Sequence, residues 1–205
     1  MAAALAARGE RVAALKPVLT GTDEASDPGW PPDDALLAAV TGQSPDAVVA
    51  RRFGPPVSPH LAAELAGTAI EPAELVVAAR AAGARADALV AEGIGGLLVP
   101  LTPGYLVRDL ARELALPVVV AARAGLGTIN HTLLTLEAAR AVGLRVAGVV
   151  LTPWPVEPGA MERSNRATIA ALGATEVATV PRLSDAAPAG LAAAGAQLPL
   201  DAWLI

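Results

Sequence analysis

Short runs of consecutive apolar residues alternate along this chain with longer stretches in which apolar positions recur every three or four residues. The runs cover residues 12–16, 88–91, 118–121, 146–151 and 177–180. Each is too short for a helix and lacks in–out alternation, so each predicts a strand buried on both faces. Residues 71–82, 105–115, 128–142 and 157–172 carry helical spacing, and another helix is predicted from about 33 to 40. Residues 22–32 are rich in Asp, Gly and Pro and predict a loop. Strands that alternate with helices need crossover connections. The pattern therefore predicts a three-layer α/β fold with a mostly parallel sheet and right-handed crossovers. With no internal repeat, heptad or low-complexity tail, the 205 residues read as one domain.

Composition narrows the field. Hydrophobic residues make up 54% of the chain and charged residues 17%, a globular balance. The net charge is −5 and the arginines are scattered, which argues against nucleic acid as a partner. The longest apolar run, near residues 114–122, is too short and interrupted to span a bilayer, so no membrane partner is predicted. No basic stretch precedes an apolar core at the start, so no signal peptide is expected and the cytoplasm is the default location. There is no cysteine, which removes disulfides, thiolate metal sites and cysteine nucleophiles.

In open parallel sheets, ligands bind beyond the carboxyl ends of the strands. At the end of the first run stands Lys16, the only lysine; the other fourteen cationic side chains are arginine. A guanidinium cannot replace a compact ammonium on an unbranched stem, so the retention of this one lysine points to a role that needs that shape. The bland alternative is a lysine that snorkels from a strand end. Glu92 closes the second run and opens into Gly93-Ile94-Gly95-Gly96. A carboxylate there suits a Mg²⁺ ligand beside phosphate oxygens, and a plain strand-end turn explains it as well. Asp33 and Asp34 read as a second metal ligand or as a helix N-cap. The third run leads through Gly125 to His131 into a helix whose free N–H groups attract carboxylate or phosphate, with Thr128 as its cap in the bland reading. The fourth ends near Thr152-Pro153 and the fifth in Pro181-Arg182-Leu183. His60, after Ser58-Pro59, reads as a packing or capping residue.

Four segments in register resemble the dethiobiotin synthetase family of ATP-dependent cyclo-ligases. They are Lys16-Pro17-Val18-Leu19-Thr20-Gly21, Ser58-Pro59-His60-Leu61-Ala62, Glu92-Gly93-Ile94-Gly95-Gly96 and Leu126-Gly127-Thr128-Ile129-Asn130-His131. The resemblance implies a P-loop NTPase type of sheet. It also implies closure of a ureido ring on 7,8-diaminononanoate with CO₂ and ATP, or another nucleoside triphosphate, by way of a carbamate and its phosphorylated anhydride. Lys16 would then stabilise the carbamate and the transferring phosphoryl group, and Thr20 would contact substrate. Asp34 and Glu92 would hold Mg²⁺, with Asp33 the fallback for the first. Gly93, Ile94 and Gly95 would line the phosphates. Thr152, Pro153, Pro181, Arg182 and Leu183 would lie in the rest of the nucleotide site. Gly127, Thr128, Ile129 and Asn130 would hold the substrate carboxylate across the interface of a homodimer.

The chain also departs from that family. By resemblance it starts within the helix that follows a first strand and a phosphate loop, so it is expected to be N-terminally incomplete by roughly 15–20 residues. No Gly-x-x-x-x-Gly-Lys-[Ser/Thr] occurs in it. A start codon assigned too far downstream, a deliberately shortened chain and a genuine remnant each account for that. Ile94 stands where the family has a small residue and is expected to crowd the phosphates. Leu151-Thr152-Pro153 stands where the family often has an adenine-reading Asn, which leaves the base open. Two alternatives remain: a non-catalytic, dimerising or regulatory relative that lacks nucleotide binding, and an amidotransferase synthetase that borrows its glutaminase from a partner.

Overall fold

The computed structural model describes residues 1–24 and 30–204. Five of the residues expected to form the 22–32 loop lie outside the described residues. The elements run α1 (Ala2–Ala7), β1 (Val12–Leu19), α2 (Asp33–Thr41), α3 (Pro45–Val48), β2 (Val49–Arg52), α4 (Pro59–Leu65) and α5 (Pro72–Gly83). Then come β3 (Ala88–Ala91), β4 (Pro100–Thr102), β5 (Tyr105–Leu106), α6 (Val107–Leu114), β6 (Val118–Ala122) and α7 (Thr128–Arg140). The chain closes with β7 (Val146–Trp154), α8 (Ala160–Gly173), β8 (Val177–Pro181), α9 (Pro188–Gly195) and α10 (Leu200–Trp203).

Among the described residues the parallel strands form two groups of three, in the orders β2-β1-β3 and β6-β7-β8, and β4-β5 is a small antiparallel hairpin. The parallel α/β architecture is the one the apolar runs predict. The strands differ in burial, however. β1 is buried along nearly its whole length, whereas β3 is only half-buried throughout and β6 is mostly so. The expectation that all five runs are buried on both faces is corrected for these two and for β8, where only Val177 is buried and residues 178–181 are half-buried. β3 pairs only with β1 and β6 only with β7, so each has one edge without a strand neighbour among the described residues.

One apolar cluster bridges the two groups. Leu5 of α1, Val12, Val150, Leu200 and Trp203 form its buried centre, and Val90 of β3 and Val119 of β6 pack against it. A second cluster, with Val18, Phe53, Leu75, Leu101 and Leu110, lies under α4, α5 and α6, and a third fills the space between β6-β7-β8 and the helices α7 and α8. The candidate residues lie in the later parts of the strands, in the loops that follow them and at the starts of α2 and α7. No helix of the described residues is long and apolar enough to cross a membrane.

Candidate active site

Lys16 sits where β1 changes partners. Residues 12–15 are in register with β3, and Lys16 begins the register with β2. The last link from β3 is the Glu92 N–H, which donates to the Leu15 carbonyl at 2.8 Å. Glu92 therefore emerges from the sheet beside the lysine. Lys16 is only 5% exposed, and its Nζ donates to Glu92 Oε1 at 2.7 Å and to Asp33 Oδ2. Both carboxylates stay about half-exposed, so the ammonium is sheltered while its partners face solvent. Burial pushes the Lys16 ammonium down, but the charges and hydrogen bonds of Glu92 and Asp33 outweigh it and leave the group above its ordinary range. Lys16 is thus a fixed cation rather than a neutral amine.

The two aspartates that open α2 take different cations. Asp33 meets Lys16, whereas Asp34 is nearly buried and its Oδ2 accepts from the Arg52 guanidinium at 2.5 Å. The same guanidinium donates to the Pro45 carbonyl at 2.7 Å. Neither aspartate is the N-cap; that position is Pro32, without a side-chain cap bond, so the capping alternative is corrected. Of the two carboxylates named for a metal, Asp33 is the one found with Glu92. Sequence reasoning missed Arg52, because two consecutive arginines at the end of a short strand look like ordinary solvated charge. The donor set is oxygen only, which suits Mg²⁺. Such an ion is commonly held by one or two carboxylates plus phosphate oxygens and waters. Among the described residues no group of three or more His, Cys, Asp or Glu makes a cage by itself. Two carboxylates that meet on the Lys16 ammonium fit an ion that arrives with phosphate and completes its shell from phosphate oxygens and waters.

Past Glu92 the chain turns sharply. Gly95 has φ +63°, and a Cβ there would press to 3.0 Å from Val99 Cγ2, so this turn requires glycine. The expectation that Ile94 crowds the phosphates is corrected: its side chain packs on the cluster under α6. Thr20 follows β1 directly and is half-buried.

At the start of α7 the N-cap is Gly127, at φ +88°, and not Thr128. The Thr128 hydroxyl is instead buried, 3.4 Å from that of Thr132. Helix geometry leaves the N–H groups of the first turn without intrahelical acceptors; that of Thr128 donates to the Gly125 carbonyl at 3.3 Å, which leaves those of Ile129 and Asn130. The approach loop is pinned by Asn165 of α8, whose Nδ2 donates to the Ala124 carbonyl at 2.9 Å and to that of Gly125 at 3.3 Å. Asn165 lies some forty residues away in sequence, and no local signal marks it. His60 is in the first turn of α4, with a buried Nδ1 that has no hydrogen-bond partner among the described atoms.

Beyond the ends of β7 and β8 lies a cavity of about 580 Å³, lined by Thr152, Pro153, Pro181, Arg182, Leu183 and, from the other side of the chain, Trp30. The five residues from the two strand ends thus share one space. Its size is that of a small-molecule pocket. Trp30 was not singled out from sequence, since nothing local ties it to segments more than a hundred residues on.

A family model described as an AAA domain matches residues 1–189. The ATP-dependent dethiobiotin synthetase of Mycobacterium sp. (strain JLS) is 40% identical over 195 residues, covering 92% of this chain and 82% of the relative. That of Rhodococcus jostii (strain RHA1) is 41% identical over 184 residues, or 88% and 78%. That of Anaeromyxobacter dehalogenans (strain 2CP-1) is 48% identical over 147 residues, or 71% of this chain and 66% of its own length.

Proposed function

This chain belongs to the ATP-dependent dethiobiotin synthetases, and from that premise we propose that it catalyses ring closure of 7,8-diaminononanoate with CO₂ at the expense of ATP. In that reaction one amine adds to CO₂ and loses a proton, giving a carbamate. A carbamate oxygen attacks the γ-phosphorus and ADP leaves. The second amine then attacks the carbamoyl carbon, expels phosphate and closes the ureido ring.

The observation that carries this reading is the buried ammonium of Lys16 beside Glu92. Negative charge develops on the carbamate and then on the transferring phosphoryl group, and a fixed cation in a sheltered site stabilises both. Lys16 is assigned that task. Glu92, with Asp33 or Asp34, would hold Mg²⁺, which when bound spreads the phosphate charge. Thr20 is assigned to substrate, and Gly93 and Gly95 to the phosphates, where absent side chains permit close approach. Thr152, Pro153, Pro181, Arg182 and Leu183 are assigned to the nucleoside. The first turn of α7, Gly127 to Asn130, receives the substrate carboxylate through the N–H groups of Ile129 and Asn130. Leu126, at the approach to that turn, is 96% exposed, which supports a second copy of the chain packing there. The homodimer and a cytoplasmic location belong to the same reading.

The test is formation of labelled dethiobiotin from diaminononanoate, ¹³C-bicarbonate and ATP with Mg²⁺. It is run on the 205 residues and on the product of the same gene translated with its in-frame upstream codons. Turnover in at least one form, dependent on the diamine, is expected. Folded protein that gives no product in either form overturns the proposal.

A further inference from the structure

The chain has few aromatic side chains, and all but one are used in the core. Phe53 and Trp203 are buried within clusters, and Tyr105 and Trp154 pack against them. Trp30 is the exception: it is half-buried and belongs to none of the apolar clusters of the described residues. What it does line is the cavity at the ends of β7 and β8. An indole contributes most where its ring meets another surface, and the cavity that Trp30 lines is also lined by Pro153, Val180, Pro181 and Leu183. A cavity lined by an indole, two prolines and aliphatic residues together with Thr152, Arg182 and Ser184 suits a heterocyclic base. Such a base has two apolar faces and a polar rim.

We propose that Trp30 is the stacking wall of the base pocket. By this assignment the β1–α2 side of the fold holds the nucleobase against the β7 and β8 loops. The proposal rests on the reading of this cavity as the nucleoside site. It adds a residue from a distant segment and a division of labour. Stacking is indifferent to base identity, because every base has a π face, so Trp30 supplies affinity and Arg182 with Thr152 supplies choice. Pro31 and Pro32 restrict the backbone between Trp30 and Asp33, which keeps this wall at a fixed reach from the carboxylate on Lys16.

The experiment is calorimetric titration of ATP, CTP, GTP and inorganic tripolyphosphate, each with Mg²⁺, into the wild-type protein, Trp30→Ala and Trp30→Phe. One base–aromatic stack corresponds to about a fivefold to hundredfold loss of affinity for all three nucleotides in Trp30→Ala, largely restored in Trp30→Phe. Tripolyphosphate, which has no base, should bind the three proteins alike. Nucleotide affinity unchanged in Trp30→Ala overturns the stacking role and leaves the nucleotide reading standing. A parallel loss for tripolyphosphate overturns it by showing a general structural defect. Wild-type protein that binds nucleotides no more tightly than tripolyphosphate overturns both.

Discussion

Lys16 shares its ammonium between Asp33 and Glu92, and this arrangement sets how the residue can be probed. Arginine would keep the charge but replace a point donor shared by two carboxylates with a planar fork of different reach and geometry. Lys16→Arg should lower turnover by at least about a hundredfold, the scale for losing one group aimed at developing charge, while circular dichroism shows an intact fold. Lys16→Met should be equally inactive. It also isolates a pH effect. The group is raised above its ordinary value in the folded protein. Its contribution to stability is therefore complete below the unfolded-state pKa, near 10.4, and is lost as pH rises through the higher folded value. Urea unfolding between pH 9 and 12 should show wild type losing stability relative to Lys16→Met. No other lysine exists and arginine does not titrate, and the single tyrosine, Tyr105, is common to both proteins, so the difference between them reports this one group. A constant difference across that range would mean that the carboxylates do not hold the ammonium.

At the scale of elements, the seam between β1 and β3 is tied by a clasp at its start. Arg11 donates to Asp87 from its backbone N–H at 2.9 Å and from Nε and Nη2 of its guanidinium at 3.0 and 2.6 Å. These bonds, led by the side-chain pair, hold the Asp87 carboxyl down at about 2. A depressed carboxyl contributes stability that is present above its unfolded value, near 3.9, and lost as pH falls toward 2. Asp87→Asn should flatten that part of the acid-unfolding profile. The clasp is fully solvated, so the effect is small. Hydrogen exchange reads the rest of the layout. β7 is flanked by β6 and β8 over Val149–Leu151, so its amides there should exchange most slowly. The outward-facing amides of β3 and β6, on edges with no neighbour among the described residues, should exchange faster. The sequence made β1, β3, β6, β7 and β8 legible because each contains an apolar run, although β1 continues past Lys16 to Leu19 and β7 past Leu151 to Trp154, and most helix limits fell within a residue or two. It hid β2, where Val49-Ala50-Arg51-Arg52 ends in charge. It also hid the hairpin, where Tyr105-Leu106 completes a strand pair before the helix begins at Val107. In the site, Lys16 and Glu92 could be read because each ends an apolar run. Arg52, Asn165 and Trp30 could not, because their partners are chosen by tertiary packing.

For the whole molecule, the cluster that bridges the two strand groups depends on one glycine. Trp203, from the last turn of the chain, is 1% exposed and lies against β7, where a Cβ on Gly148 would collide with the indole. The ring is further fixed by its Nε1, which donates to Glu176 at 3.3 Å, and by Arg145, which donates to the Trp203 carbonyl at 3.1 Å. The same cluster holds Leu5 of α1 and contacts Val90 and Val119, so a defect here reaches both groups. Gly148→Ala should destabilise the fold by about 1–3 kcal/mol through overpacking, and Trp203→Ala by about 3–5 kcal/mol through the cavity it leaves. If the cause is the collision described, the two are not additive. In Trp203→Ala the extra methyl of Gly148→Ala meets open space, so adding it should cost little or even recover part of the loss. Denaturant unfolding of the two single variants and the double variant measures this directly. A double variant whose loss equals the sum of the two would show that Gly148 is needed for its backbone and not for the room it gives Trp203.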